Sequence, residues 1–204
     1  MIVKQDHKYC HLKLHYIILV DELSTEVVHM NKIKFNSVIK NLKNRFSSIP
    51  ALFVIVDSSE QMIHLIKNKK VIKSYSVSTA KKGMGNKEGS NQTPAGIHSI
   101  GEKIGNGAPK KRIFLDRKDT GIDWDESMSG ENKILTRILR LRGLEPGVNS
   151  GPGIDSWERY IYIHGTNRED LIGTPMSHGC VCMRNKDVID FFNSVPEDTI
   201  VVID

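Results

Sequence analysis

YIYIHGTNREDLIGTPMSHGCVCMRN, residues 160–185, decides how this chain is read. It opens with a strand-like alternation, Tyr160-Ile161-Tyr162-Ile163, and ends that alternation on His164-Gly165-Thr166. A polar, glycine-punctuated loop follows, and then Ser177-His178-Gly179-Cys180. A cysteine with histidines nearby and glycines at its elbow suits nucleophilic catalysis. The thiolate attacks, an imidazole takes its proton, and glycines let backbone N–H groups approach a developing oxyanion. Too many residues separate His164 from Cys180 for a contact within one helical turn, but two strand or loop ends can meet across a cleft.

Working outward, 204 residues with 39% hydrophobic and 26% charged describe one ordinary globular domain with room for an appendage. That length buries a core without disulfides. The net charge of +5 comes from scattered Lys and Arg, read mainly as solvated turns. There is no nucleic-acid-binding motif, so no nucleic-acid partner is expected. Cys10, Cys180 and Cys182 cannot all pair, so no disulfide framework is expected. No apolar run has the length of an integral membrane segment. Residues 12–20 contain His15 and run into Asp21-Glu22, so no signal peptide is visible.

Residues 1–50 read as an N-terminal α/β appendage, with a strand at 15–20 and an amphipathic helix at 31–46 presenting Val38, Ile39, Leu42 and Phe46. Residues 51–204 are β-rich. Strands are expected at 52–56, 62–66 and 71–77, then at 97–100 and 112–115, with a closing strand at 199–203. Residues 81–94 form a long polar loop, and 144–153 a second one. The periodicity of residues 134–141 fits a helix face or a strand interrupted by Arg137, and does not choose between them. A short helix is expected at 186–194 behind an Asn185 cap. Many short strands with one or two short helices point to a mainly β sandwich or barrel.

The ordered set Tyr160-Ile161-Tyr162-Ile163-His164-Gly165-Thr166 and Ser177-His178-Gly179-Cys180-Val181 resembles the signature of the L,D-transpeptidase (YkuD-like) catalytic domain family. Thr93-Pro94-Ala95-Gly96, Gly143-Leu144-Glu145-Pro146-Gly147, Arg159-Tyr160 and residues 185–192 extend the likeness over roughly 52–204. The resemblance implies an L,D-transpeptidase-like β fold with its active site at one end of the strands. Cys180 would be the nucleophile and His164 its base, the ring held by a backbone carbonyl such as that of Ser177. Gly179 and Cys180 would offer oxyanion amides, while Tyr162, Gly165, Thr166, His178 and Arg184 would contact substrate. The implied partners are peptidoglycan stem peptides and acylating carbapenems, and the implied location is the periplasm or cell envelope. No cofactor and no metal are implied. His164, His178, Cys180 and Cys182 are soft donors, but they lack a C-x-x-C spacing for zinc.

The chain departs from the family pattern at Cys182, where Arg or Asn is usual. Arg184 is the cation nearest in sequence and is expected to replace it. The favoured activity is acylation of Cys180 by a tetrapeptide stem, release of D-alanine and transfer to an amine. L,D-carboxypeptidase activity on the same stems, or a weakened wall-binding module, are the alternatives.

Overall fold

The structure, a computed structural model, describes residues 16–19, 28–128, 130 and 132–204. Cys10 lies outside the described residues. The chain divides into two compact units, Met1–Ile49 and Pro50–Asp204.

In the first unit, β1 (Tyr16–Leu19) pairs antiparallel with β2 (Val28–Asn31). Helix α1 (Lys32–Arg45) follows directly. Its start is set by Asn31, whose side-chain oxygen accepts from the N–H groups of Ile33 (2.9 Å) and Lys34 (3.3 Å). Lys43 and Arg45 complement the carbonyl end of the helix dipole. Phe35, Val38 and Leu42 are its buried positions, and their 3–4 spacing is that of one helical face.

The second unit is built on a ten-stranded sheet. Its strands are β3 (Leu52–Asp57), β4 (Met62–Lys67), β5 (Lys70–Ser78), β6 (Gly96–Ile104), β7 (Arg112–Leu115), β8 (Lys118–Asp123), β9 (Ile134–Gly143), β10 (Tyr162–Thr166), β11 (Val181–Met183) and β12 (Ile200–Ile203). The order is β10-β11-β5-β4-β3-β12-β6-β9-β7-β8, and β10 also pairs with β9. That extra pairing closes the sheet on itself as a barrel and leaves the β7–β8 hairpin outside the ring. Most neighbours are antiparallel, but β12 runs parallel to β3, and β11 parallel to β10.

The core follows the period-2 rule of strands. Val54 and Val56, Ile63 and Leu65, Leu139 and Leu141, Val201 and Ile203, and Val181 and Met183 all belong to one buried cluster. Helix α2 (Asn185–Ser194) adds Val188, Phe191 and Phe192 to it. Residues 134–141 are strand. The helix-like spacing of their apolar positions has a specific cause, because both faces of β9 are buried: Leu139 and Leu141 lie in the main cluster, and Ile134 and Ile138 pack with Phe114 and Tyr162. The β9–β10 register also slips between His164 and Gly165, with Thr136 and Arg137 as the extra residues, as at a β-bulge. Thr136 sits there at φ 71°, unusual for a β-branched residue.

Other boundaries moved as well. Tyr160 is left-handed (φ 55°) and stands before β10 rather than in it. Arg184, not Asn185, is the residue flanking α2. Strand β8 had no sequence signal because all of it is exposed.

His98 on β6 is fully buried, with Nδ1 against the Gly96 carbonyl (3.1 Å) and Nε2 against Ser156 Oγ (2.9 Å). Burial lowers its pKa from 6.5 to about 4, and burial does the same to His164. Below pH 6.5 the unfolded chain therefore takes up protons that the folded chain refuses. The stability these rings contribute is complete above about pH 6.5 and is lost as pH falls toward about 4. The thermal midpoint is expected to drop across that interval, and a His98→Gln variant to drop less steeply. Parallel profiles for the two proteins would show that His98 is not held neutral.

Candidate active site

His164 lies mid-strand on β10, directly across the parallel ladder from Cys182 on β11. Their neighbours Ile163 and Val181 point into the barrel core, so alternation turns His164 and Cys182 to the opposite face. Cys180, two residues before Cys182, shares that side by the same rule. The register slip falls immediately after His164, where a bulge re-aims a side chain.

The His164 ring is buried, and its Nδ1 lies 2.7 Å from the Gly165 carbonyl. A carbonyl only accepts, so Nδ1 carries the proton and Nε2 is the free base. The holding carbonyl is thus Gly165's. The Ser177 carbonyl accepts instead from the Lys81 amide at 3.0 Å. Nε2 lies 3.7 Å from Cys182 Sγ, which also receives the Asn132 side-chain amide at 3.5 Å.

Cys180 is half-buried and its thiol points at the Tyr160 carbonyl, 3.6 Å away. Burial pushes this thiol up to about 11, opposed by the Tyr162 backbone N–H and by Arg159. Burial also raises Cys182 to about 12 and lowers His164 to about 4. Burial thus favours the neutral form of both thiols and of the imidazole.

The turn before Cys180 is fixed by Ser177. Its Oγ donates to the Cys180 carbonyl (2.6 Å) and accepts the Gly179 N–H (3.2 Å). An oxyanion approaching Gly179 would have to displace that longer bond. Gly179 stands at φ 136°, and an added Cβ would press on Ile161 and on the Gln92 carbonyl.

Cys180 opens into a pocket of about 450 Å³ lined also by Asp116, Arg117, Ile134, Tyr160 and Tyr162. Asp116 and Arg117 form the two-residue tip of the β7–β8 hairpin, both with positive φ (48° and 67°). That is the twist a tight hairpin turn requires. Sequence reading passed over both residues because no Asn-Gly or Asp-Gly marks the turn. The loop at 81–94 is pinned by Arg159. Arg159 donates to the carbonyls of Gly85 (3.2 Å), Asn86 (2.8 Å) and Gln92 (2.7 Å). The Gly143–Gly147 segment has a structural task, where the Glu145 carboxylate accepts the Ile97 amide (2.5 Å) and the Glu145 backbone N–H donates to Asn149 Oδ1 (2.9 Å).

The remaining candidates are placed as follows. Tyr162 lines the pocket, and His178 is exposed on the turn. Gly165 is buried where a Cβ would meet Asn185 Oδ1 and the Leu135 carbonyl, so it permits close packing behind His164. Thr166 is buried, its Oγ1 engaged with Asn132 (2.5 Å) and Arg168 N–H (2.9 Å). Arg184 flanks α2 and is not among the pocket residues. No cluster of three His, Cys, Asp or Glu able to hold a metal occurs among the described residues.

Asn185, which the sequence offered only as a cap, is the buried hub behind the site. Its Nδ2 donates to the Thr166 carbonyl (2.8 Å) and Glu169 (2.5 Å), and its Oδ1 accepts from Thr136 (2.5 Å). It ties the bulge on β9, the end of β10 and the start of α2 together. Removing it would leave several buried groups unpaired. Asn185→Ala is expected to cost about 3 kcal/mol in chemical denaturation; a change below about 1 kcal/mol would show that water substitutes for the amide.

Comparison with known proteins bears on the family. A protein of Bacillus subtilis (strain 168), YqjB, whose name gives it as a candidate L,D-transpeptidase, is 29% identical over 151 residues, covering 74% of this chain and 70% of that one. YkuD of the same organism is 50% identical over 46 residues, 22% of this chain and 28% of its own. An L,D-transpeptidase structure from Mycobacterium smegmatis matches with TM-score 0.48 and 14% identity, over 76% of this chain and 58% of that one. LdtMt1, solved with imipenem, matches at 0.47 and 18%, over 76% and 59%. This chain thus spans under two thirds of those two solved chains. The profile of the L,D-transpeptidase catalytic domain matches residues 51–203, three quarters of the sequence, and the chain belongs to the YkuD family.

Proposed function

We propose that this protein is a cysteine-dependent L,D-transpeptidase acting on peptidoglycan stems, with residues 51–204 carrying the chemistry and 1–50 an appendage. The observation that carries the reading is the parallel β10–β11 pair, which sets a base with a free Nε2 on the same face as Cys180.

Cys180 Sγ attacks the carbonyl joining the diamino acid to the terminal D-alanine of a tetrapeptide stem. As the S–C bond forms, the thiol proton passes to His164 Nε2, and then to the departing D-alanine nitrogen as the C–N bond breaks. An amine of a neighbouring stem then attacks the thioester, His164 takes its proton, and the Cys180 thiol is restored. Water in place of the amine gives a carboxypeptidase. For the first step the Cys180 thiol must leave the Tyr160 carbonyl and turn toward His164. Ser177 acts by holding the turn, and Tyr162 by lining the pocket. Such a substrate places the protein's work in the cell envelope. Among the described residues no helix is long and apolar enough to cross a membrane.

A second reading, with Cys182 as the nucleophile, has one observation in its favour, because Nε2 faces Cys182 rather than Cys180. Acylation distinguishes them. Wild type, Cys180→Ala, Cys182→Ala and His164→Ala are incubated with imipenem and mapped by peptide mass. The adduct is expected on Cys180 in wild type and in Cys182→Ala, absent from Cys180→Ala, and formed on the order of a hundredfold more slowly in His164→Ala. D-alanine release from tetrapeptide stems should vanish with Cys180. An adduct on Cys182, or stem turnover by Cys180→Ala, would overturn the assignment.

A further inference from the structure

Four guanidiniums lie in or near the site, and three are committed. Arg159 is occupied by three loop carbonyls. Arg140 is buried, donates to the Trp157 carbonyl (2.8 Å) and stacks on the Trp157 ring at 3.6 Å. Arg184 flanks α2, lies outside the pocket and acts on the Asp187 carboxylate there. Arg117 differs from all of these in its place. It lines the pocket with Cys180, is half-buried, and makes no ion pair within 4 Å among the described residues, Glu102 attracting it only from farther off while lying 3.9 Å from Arg140. Among the described residues its one hydrogen bond is from Nη1 to Tyr162 Oη at 3.2 Å, which leaves most of a five-donor fork unused.

The fork is nevertheless held in place. Its carbon sits 5.1 Å over the Tyr160 ring, and Arg140 sits 5.2 Å over the same ring. Trp157 lies beneath Arg140, with Arg142 at 4.9 Å. The result is a ladder of guanidiniums and rings running from Trp157 to the pocket, and it accounts for an exposed tyrosine held at positive φ. With cations stacked on it, Trp157 serves this ladder. The remaining pocket wall is Ile134 and the tyrosine rings, with Asp116 at the exposed hairpin tip, where solvent screens it. An oriented, unpaired fork beside a nucleophile matches the planar geometry of a carboxylate.

We propose that Arg117 is a substrate-binding residue that recognises a carboxylate carried by the acyl donor close to the carbonyl that Cys180 attacks. This rests on Cys180 being the nucleophile, and it adds a recognition element on the β7–β8 hairpin. Donors bearing a free carboxylate at that place are selected over amidated ones, and the hairpin tip sets the preference.

The test uses two alkylators of the same shape, anionic iodoacetate and neutral iodoacetamide. Each forms an S–C bond to Cys180 with loss of iodide, and the thiol proton goes to solvent. The rate at Cys180 is followed by peptide mass, and the readout is the iodoacetate to iodoacetamide ratio. Arg117→Asn removes the charge with a residue that tolerates the left-handed turn, so the hairpin is kept. Arg117→Lys keeps the charge without the fork. The ratio is expected to fall on the order of fivefold in Arg117→Asn and to be largely retained in Arg117→Lys. With stem donors, Arg117→Asn is expected to raise KM for the free carboxylate form and erase its advantage over the amidated form. An unchanged ratio in an Arg117→Asn protein of wild-type thermal midpoint would overturn the proposal. If the ratio falls but wild type turns over no stem, the carboxylate site stands and the transpeptidase reading fails instead.

Discussion

A single short contact, His164 Nδ1 to the Gly165 carbonyl at 2.7 Å, governs what this site can do. It fixes the tautomer, leaves Nε2 as an unprotonated acceptor, and points that nitrogen at the sulfur side of β11. The ring is buried, so it stays neutral well below its ordinary pKa. Everything behind it serves to keep that contact. Gly165 lets Asn185 and the Leu135 carbonyl close in, and Asn185 links the β9 bulge, the end of β10 and the start of α2. A neutral base beside a neutral thiol is a resting state suited to a nucleophile activated only as it attacks.

Much of this was legible in the sequence, because it depends on local pattern. The His-Gly-Thr and Ser-His-Gly-Cys segments lie at the ends of a strand and a turn, as their composition suggests, and the buried runs at 52–56 and 199–203 became central strands. The Arg137 interruption in residues 134–141 was visible, but its meaning was not. A strand buried on both faces imitates helical spacing, and only its pairing partners separate the two. Asn185 looked like a helix cap because capping and buried amide hubs use the same residue type.

The parts that escaped were those set by long-range placement. Strand β8 is exposed throughout and carries no apolar alternation, so nothing announced the hairpin that brings Arg117 to the pocket. Arg184 looked like the replacement cation for Cys182 because it is near in sequence. The guanidinium that lines the pocket is instead Arg117, at the tip of the β7–β8 hairpin. The carbonyl that holds His164 also differs from the one expected, since Ser177 is occupied with Lys81 and with its own turn.

The pairing of a bonded Nδ1–H with a free Nε2 is open to direct measurement. Long-range 1H–15N NMR on protein labelled at histidine reports tautomer and charge for each ring. His164 is expected to show a protonated Nδ1 and an unprotonated Nε2 from pH 8 down to near its folded pKa of about 4. A His164 that is imidazolium at neutral pH, or that carries its proton on Nε2, would contradict this account of the site.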